Sequence, residues 1–152
     1  IVNFAQSNGE DPLQVQNYYH HIRTKKASEN ELIFALRYEN EWVGFFSIGL
    51  TNIKRISSQS SSRGEEIDTN NLIEGLLINK IGIVQEYRCF GIGKYILQFC
   101  IGLVKSSSIS SQIKIIIFET TRSLAEKIYH PKYGFNFIEK ENMLVWAYKI
   151  IC

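Results

Sequence analysis

Leu76–Lys105 reads LLINKIGIVQEYRCFGIGKYILQFCIGLVK. Leu76 to Val84 is rich in Leu, Ile and Val and short, which predicts a strand buried on both faces. Arg88-Cys89-Phe90-Gly91-Ile92-Gly93 supplies a tight turn. Beyond it, Ile92, Ile96, Phe99 and Leu103, together with Cys100 and Val104, recur at helical spacing. No proline or charge interrupts Tyr95 to Val104. The stretch therefore predicts strand, glycine loop and helix, and the rest of the chain is arranged around it.

The loop has a chemical use. A helix start leaves about four backbone N–H groups without partners, and the helix dipole places partial positive charge there. Gly91 and Gly93 lack a Cβ, so an anion can approach the backbone and positive φ costs little. Lys94 adds a cation at the rim. The pattern suits a phosphate or pyrophosphate. It equally suits a strand-to-helix turn that needs glycine for packing. The spacing is neither that of a Walker loop nor the dinucleotide pattern G-x-G-x-x-G.

A length of 152 residues implies one domain with a sizeable core. The formal net charge of +2 argues for neither nucleic acid nor membrane. Cys89, Cys100 and Cys152 lack paired or zinc-type spacing, so reduced thiols and a cytoplasmic location are expected. No signal peptide is read at the start, which is Ile1 and not Met, and no apolar run is long enough for a bilayer.

Toward the N-terminus, Ile1 to Phe4 reads as a short edge strand. Asp11-Pro12 reads as a helix start, the helix running to about Lys26. Tyr18, Tyr19, His20 and His21 lie on it as packing residues. Adjacent histidines diverge on a helix, so no metal site is expected. Glu31 to Tyr38 and Trp42 to Leu50 read as strands joined through Glu39-Asn40-Glu41. Lys54 to Asn71, KRISSQSSSRGEEIDTNN, is too polar to order itself and reads as a hairpin loop or a substrate-covering flap.

Toward the C-terminus, Ser106 to Gln112 is a polar loop. Ile113 to Phe118 is a second buried strand, parallel to the first through the helical crossover. Ser123-Leu124-Ala125-Glu126 fits a capping box opening a helix that ends near Tyr129, with Pro131 as its stop. Phe135 to Lys140 and Met143 to Ile151 form a final hairpin through Glu141-Asn142. Two buried parallel strands in an otherwise antiparallel set predict an α/β fold with a mixed sheet.

Arg88-x-x-Gly91-x-Gly93 resembles the acyl-CoA signature of the GNAT superfamily of N-acetyltransferases. Ile81-Gly82-Ile83-Val84-Gln85-Glu86-Tyr87-Arg88 is similar, without a gap, to that family's Leu-Ala-Val-Asp-Pro-Glu-Tyr-Arg. Ile128-Tyr129 and Tyr133-Gly134-Phe135 resemble its Phe/Leu-Tyr…Gly-Phe ending. The likeness covers roughly Leu72 to Phe137. It implies a mostly antiparallel sheet with a central parallel pair, flanked by helices, and acetyl transfer from acetyl-CoA to a primary amine in a ternary complex.

The resemblance also implies roles. Backbone groups of Ile81, Gly82 and Ile83 would hold the pantetheine arm as an added pseudo-strand, and the Ile83 amide would stabilise the oxyanion. The amides of Cys89, Phe90, Gly91, Ile92, Gly93 and Lys94 would hold the pyrophosphate, and Arg88 would shape the loop. The family's general acid matches Tyr129 if one residue is inserted before Gly134, and His130 if none is. The glutamate base of some members falls on Leu77 here. Glu119, at the end of the next strand, resembles a base position in members that act on protein N-termini and is the first choice. Glu74, near the start of the Leu76–Val84 strand, is the second. Ile73 to Val84 further resembles GNAT toxins that acetylate aminoacyl-tRNA, with Glu74 for their proline and Lys80 for their arginine. The acceptor is thus a small-molecule amine, a protein amine or an aminoacyl-tRNA. A homodimer is allowed, a membrane or a metal is not expected, and a non-catalytic acyl-CoA-binding module is the rival outside enzymes.

Overall fold

The structure, a computed structural model, describes residues 4, 9–24, 31–52, 74–106 and 113–151. Its elements are α1 (Val15–Thr24), β1 (Glu31–Tyr38), β2 (Glu41–Asn52), β3 (Glu74–Ile83), α2 (Ile92–Lys105), β4 (Ile113–Thr121), a mixed helix α3 over residues 122–133, β5 (Asn136–Glu139) and β6 (Leu144–Ile150). Among the described residues six strands take the order β1-β2-β3-β4-β6-β5, mostly antiparallel with β3 and β4 parallel, as the two buried strands and the helix between them predicted. The Lys54–Asn71 stretch and nearly all of the Ser106–Gln112 loop lie outside the described residues. So do Ile1 to Asn3 of the expected edge strand, and Phe4 is not in a strand.

Contacts group the chain into two compact units, Ile1–Gly49 with Ile78–Phe99, and Leu50–Leu77 with Cys100–Cys152. In the first unit, β1 and β2 pair antiparallel around a turn whose residues Glu39 and Asn40 have φ of 49° and 69°. Two positive φ values match the type I′ geometry of two-residue hairpins. Phe4, Val15 and Phe45 form one core cluster, with Tyr18, Tyr19, Ile22, Trp42 and Val84 packed on it. Burying a side chain the size of Phe45 stabilises by roughly 1.5–3 kcal/mol.

Helix α1 starts at Val15, three residues later than the Asp11-Pro12 signal suggested. Gln14 has φ 56°, so Asp11 to Gln14 form a turn. Asp11 still caps the helix, through Oδ1 to the Val15 amide and Oδ2 to the Gln16 amide, both 2.9 Å. The carboxylate reaches over the turn, so the cap was legible but the first helical residue was not.

In the second unit, β4 pairs antiparallel with β6, and β6 with β5. Phe118, Ala125, Phe135, Val145 and Ala147 are buried there. Helix α3 departs from expectation at both ends. Its cap is Thr121, whose hydroxyl accepts from the Leu124 amide, so the Ser123 capping box does not form. Nor does Pro131 end it. Residues Ala125–Tyr129 wind as a π-helix, and His130–Tyr133 continue with Pro131 in the first turn of that segment. That early position needs no amide donor from proline. The stop is Gly134, left-handed at φ 71°.

Candidate functional site

The loop between β3 and α2 belongs to the first unit. It follows a 3-10 turn, Gln85–Tyr87. Cys89 has φ 71° and Gly91 φ 81°, so two left-handed residues flank Phe90. For Gly91 that conformation is free of strain, whereas for Cys89 it is not, and such strain concentrates where a backbone shape is used. The Tyr95 amide donates to the Gly91 carbonyl at 3.1 Å, which opens the i→i−4 ladder. The amides of Ile92, Gly93 and Lys94 precede that first bond and have no such partner. A Cβ built on Gly91 or Gly93 meets nothing within 4 Å. The space over both glycines is open, so packing does not explain them. The residues fit an acyl-CoA pyrophosphate: an exposed backbone, partial positive charge and an exposed Lys94.

Arg88 holds the loop from beneath. Its Nε donates to the Ile83 carbonyl at 3.1 Å and its Nη2 to the Phe4 carbonyl at 2.8 Å. The planar guanidinium ties two backbone acceptors at once. Preceding it, the Val84 amide donates to the Val43 carbonyl at 2.9 Å. Gly82 is required for a different reason from the loop glycines. A Cβ there would lie 2.5 Å from Phe45 Cε1 and 2.9 Å from Phe4 Cδ1. A Cβ on Gly44 of β2 would lie 2.2 Å from the Gly82 carbonyl oxygen. The sequence reading missed Gly44, whose only signal was a glycine inside a strand. Ile81 and Ile83 are partly buried at the end of β3.

The remaining candidates lie in the second unit. Tyr129 packs against Phe118, ring centroids 4.8 Å apart, and against Phe135 at 6.3 Å. Burial, with a smaller contribution from Tyr133, holds its phenol above the usual tyrosine range. A phenol kept neutral can donate a proton but is a poor base. His130, next in sequence, points elsewhere. Its Nδ1 lies 2.8 Å from the Phe135 carbonyl, which makes Nδ1 the donor and leaves Nε2 as acceptor in the neutral ring. His130 lines an open groove of about 460 Å³ with Glu126, Asn136, Phe137 and Tyr148.

Glu119 stands on the other face of its strand. Phe118, Ala147 and Phe137 are cross-strand partners on the face that α3 covers, whereas Glu119 pairs with Trp146 and Trp146 with Ile138. The Glu119 carboxylate forms an ion pair with Lys140 Nζ, which sits 4.6 Å from the Trp146 ring centroid. Glu74, at the start of β3, is partly buried. Tyr129 and Glu119 are thus not brought together within this unit. Among the described residues no three His, Cys, Asp or Glu side chains cluster as a metal site needs. No described helix is long and apolar enough to cross a membrane.

No family model matches the sequence, and no curated protein matches it in sequence. Solved structures do match the fold. AtaTR bound with AcCoA superposes with a TM-score of 0.64 at 17% identity, covering 99% of this chain and 87% of that one. AtaT complexed with acetyl-methionyl-tRNAfMet gives 0.60 at 18% identity, covering 91% and 82%. An acetyltransferase from Thermus thermophilus gives 0.51 at 12% identity, covering 89% and 73%. The chain has the GNAT fold that its signature resembled.

Proposed function

We propose that residues 1–152 act as one acetyl-CoA-dependent N-acetyltransferase domain, moving an acetyl group to a primary amine. The observation that carries this reading is the loop at Gly91 and Gly93, where a Cβ would meet nothing within 4 Å and the first α2 amides precede the helix's own hydrogen-bond ladder, which begins at Tyr95. The acyltransferase fold of the solved neighbours supports it.

The chemistry asks little of side chains, because a thioester is already activated and positioning supplies much of the rate. In the proposed mechanism, Ile81, Gly82 and Ile83 hold the pantetheine arm and the Ile83 amide donates to the developing oxyanion. The amides of residues 89–94 hold the pyrophosphate. The neutral amine nitrogen attacks the thioester carbon, a C–N bond forms, and the C–S bond breaks. Tyr129 is the proposed donor to the departing sulfur. Burial keeps its phenol protonated but makes it a weaker acid than an ordinary tyrosine, so its help to the leaving group is modest. Glu119, on the strand face opposite Tyr129 and ion-paired with Lys140, is the proposed acceptor of the amine proton through water and not by direct contact.

A second reading is acetylation of the aminoacyl group of a charged tRNA. The fold likeness to AtaT, solved with acetyl-methionyl-tRNAfMet, favours it, as does the toxin-like Ile73–Val84 stretch. Lys80, standing for the toxins' arginine, donates from Nζ to the Leu13 carbonyl at 2.7 Å.

The test is thiol release from acetyl-CoA with small amines, peptides and charged tRNA as acceptors. Turnover with an amine or peptide supports the first reading, and turnover with charged tRNA alone supports the second. CoA binding without turnover on any acceptor leaves only a binding module.

A further inference from the structure

Beside the glycine loop, three aromatic rings converge from three parts of the first unit. Tyr38 ends β1, Tyr87 closes the 3-10 turn and Phe90 stands at the loop apex. Their centroids are 6.2 Å apart for Tyr38–Tyr87, 6.4 Å for Tyr38–Phe90 and 6.0 Å for Tyr87–Phe90. The rings are inclined to one another by 48–62°, so they form a cup and not a stack. Phe90 is 63% exposed and Tyr38 45%.

Packing gives no reason for this. Phe90 leaves a loop apex bracketed by left-handed Cys89 and Gly91, and most of its surface stays in water while its ring meets Tyr38 and Tyr87. Tyr87 is anchored by its hydroxyl, which donates to Glu41 Oε2 at 2.5 Å. An exposed aromatic surface of this kind suits a flat ligand ring.

We propose that Tyr38, Tyr87 and Phe90 seat the adenine ring of acetyl-CoA. This rests on the reading of the adjacent loop as the pyrophosphate site. In a nucleotide the base lies one ribose from its 5′-phosphate, so an anion-binding loop with an aromatic cup beside it matches a phosphate with a base attached. The Glu41 carboxylate that accepts from the Tyr87 hydroxyl stands beside the cup as an acceptor of the kind an exocyclic amino group donates to.

The experiment compares two ligands, acetyl-CoA and 4′-phosphopantetheine, which keeps a phosphate and the pantetheine arm but lacks the adenosine. Calorimetry is run on the wild type, Phe90→Ala and Tyr38→Ala. Tyr38 lies outside the loop, so its variant leaves the loop backbone in place. The expected result is about tenfold weaker acetyl-CoA binding in each variant, the size of one base–aromatic stack, with 4′-phosphopantetheine binding unchanged. Unchanged acetyl-CoA affinity, or equal losses on both ligands in Tyr38→Ala, overturns the adenine assignment while leaving the pyrophosphate reading intact. A wild type that binds neither ligand overturns both.

Discussion

Arg88 Nη2 lies 2.8 Å from the Phe4 carbonyl, across a sequence separation of 84 residues. Its Nε holds the end of β3 through the Ile83 carbonyl. One guanidinium thus ties the first described residue, the last residue of β3 and the start of the glycine loop. Phe4 also packs edge-on against Phe45, Tyr19 and Trp42, so the tether ends in the core.

Arg88→Lys should therefore not be conservative. A lysine cannot satisfy both carbonyls in one plane. Leaving partly buried acceptors unpaired costs about 1–3 kcal/mol. We expect a lower melting temperature together with weaker CoA binding, measured by thermal unfolding and calorimetry on one preparation. Wild-type values for both would show that the loop holds its shape without the tether.

Gly91 and Gly93 separate strain from steric exclusion. Gly93 lies in the first turn of α2 without a positive φ, and its Cβ would face open space. Gly93→Ala should thus keep or slightly raise stability, by up to about 1 kcal/mol. Gly91→Ala should lose about 1–2 kcal/mol from its left-handed backbone. Both should weaken CoA binding at least tenfold. A folded Gly93→Ala protein with unchanged CoA affinity would sink the pyrophosphate assignment.

Tyr129→Phe keeps the ring against Phe118 and removes only the hydroxyl. A thiolate is a tolerable leaving group near neutral pH, so the acid should contribute at the low end of the usual 10²–10⁴-fold range. We expect kcat to fall about tenfold to a hundredfold with little change in KM for acetyl-CoA. His130→Ala should act more weakly, because its Nδ1 is engaged with the Phe135 carbonyl. The reverse pattern would make His130 the acid. Losses below about twofold in both would leave positioning as the whole of catalysis.

Cys100 is fully buried, and burial raises its thiol from 9.0 to about 12. The folded state therefore keeps its proton where the unfolded state has lost it. Stability from this group is complete below pH 9 and declines as pH rises from there toward about 12. Cys100→Ala should have a flatter decline of melting temperature between pH 9 and 11, whatever its absolute stability. An identical slope in both proteins would refute the burial argument.

Cys89 is an exposed thiol within the proposed pyrophosphate loop. Alkylation at Cys89, followed by peptide mapping, should be fast in the free protein and slowed several-fold by saturating CoA. Cys100 should stay unmodified until the protein unfolds. Equal Cys89 rates with and without CoA would place the cofactor elsewhere.

The sequence by itself determined the strand–loop–helix unit, the element order from the first helix onward and the mixed sheet. These depend on local periodicity and on glycine chemistry, which a short stretch carries without knowledge of its surroundings. The Glu39-Asn40 turn and the Gly91 reversal were legible for the same reason. Only the tertiary structure decided which partners the side chains take. Nothing local to Arg88 pointed to the Phe4 carbonyl, and nothing local to Gly44 pointed to the backbone of Gly82. The alternation along Phe118 and Glu119 puts them on opposite faces, but only cross-strand pairing brings Tyr129 to one and Lys140 to the other. The π-helical turn that carries the chain past Pro131 was equally hidden. It depends on how α3 packs over Phe118 and Phe135, a long-range condition that helix signals along the chain do not contain.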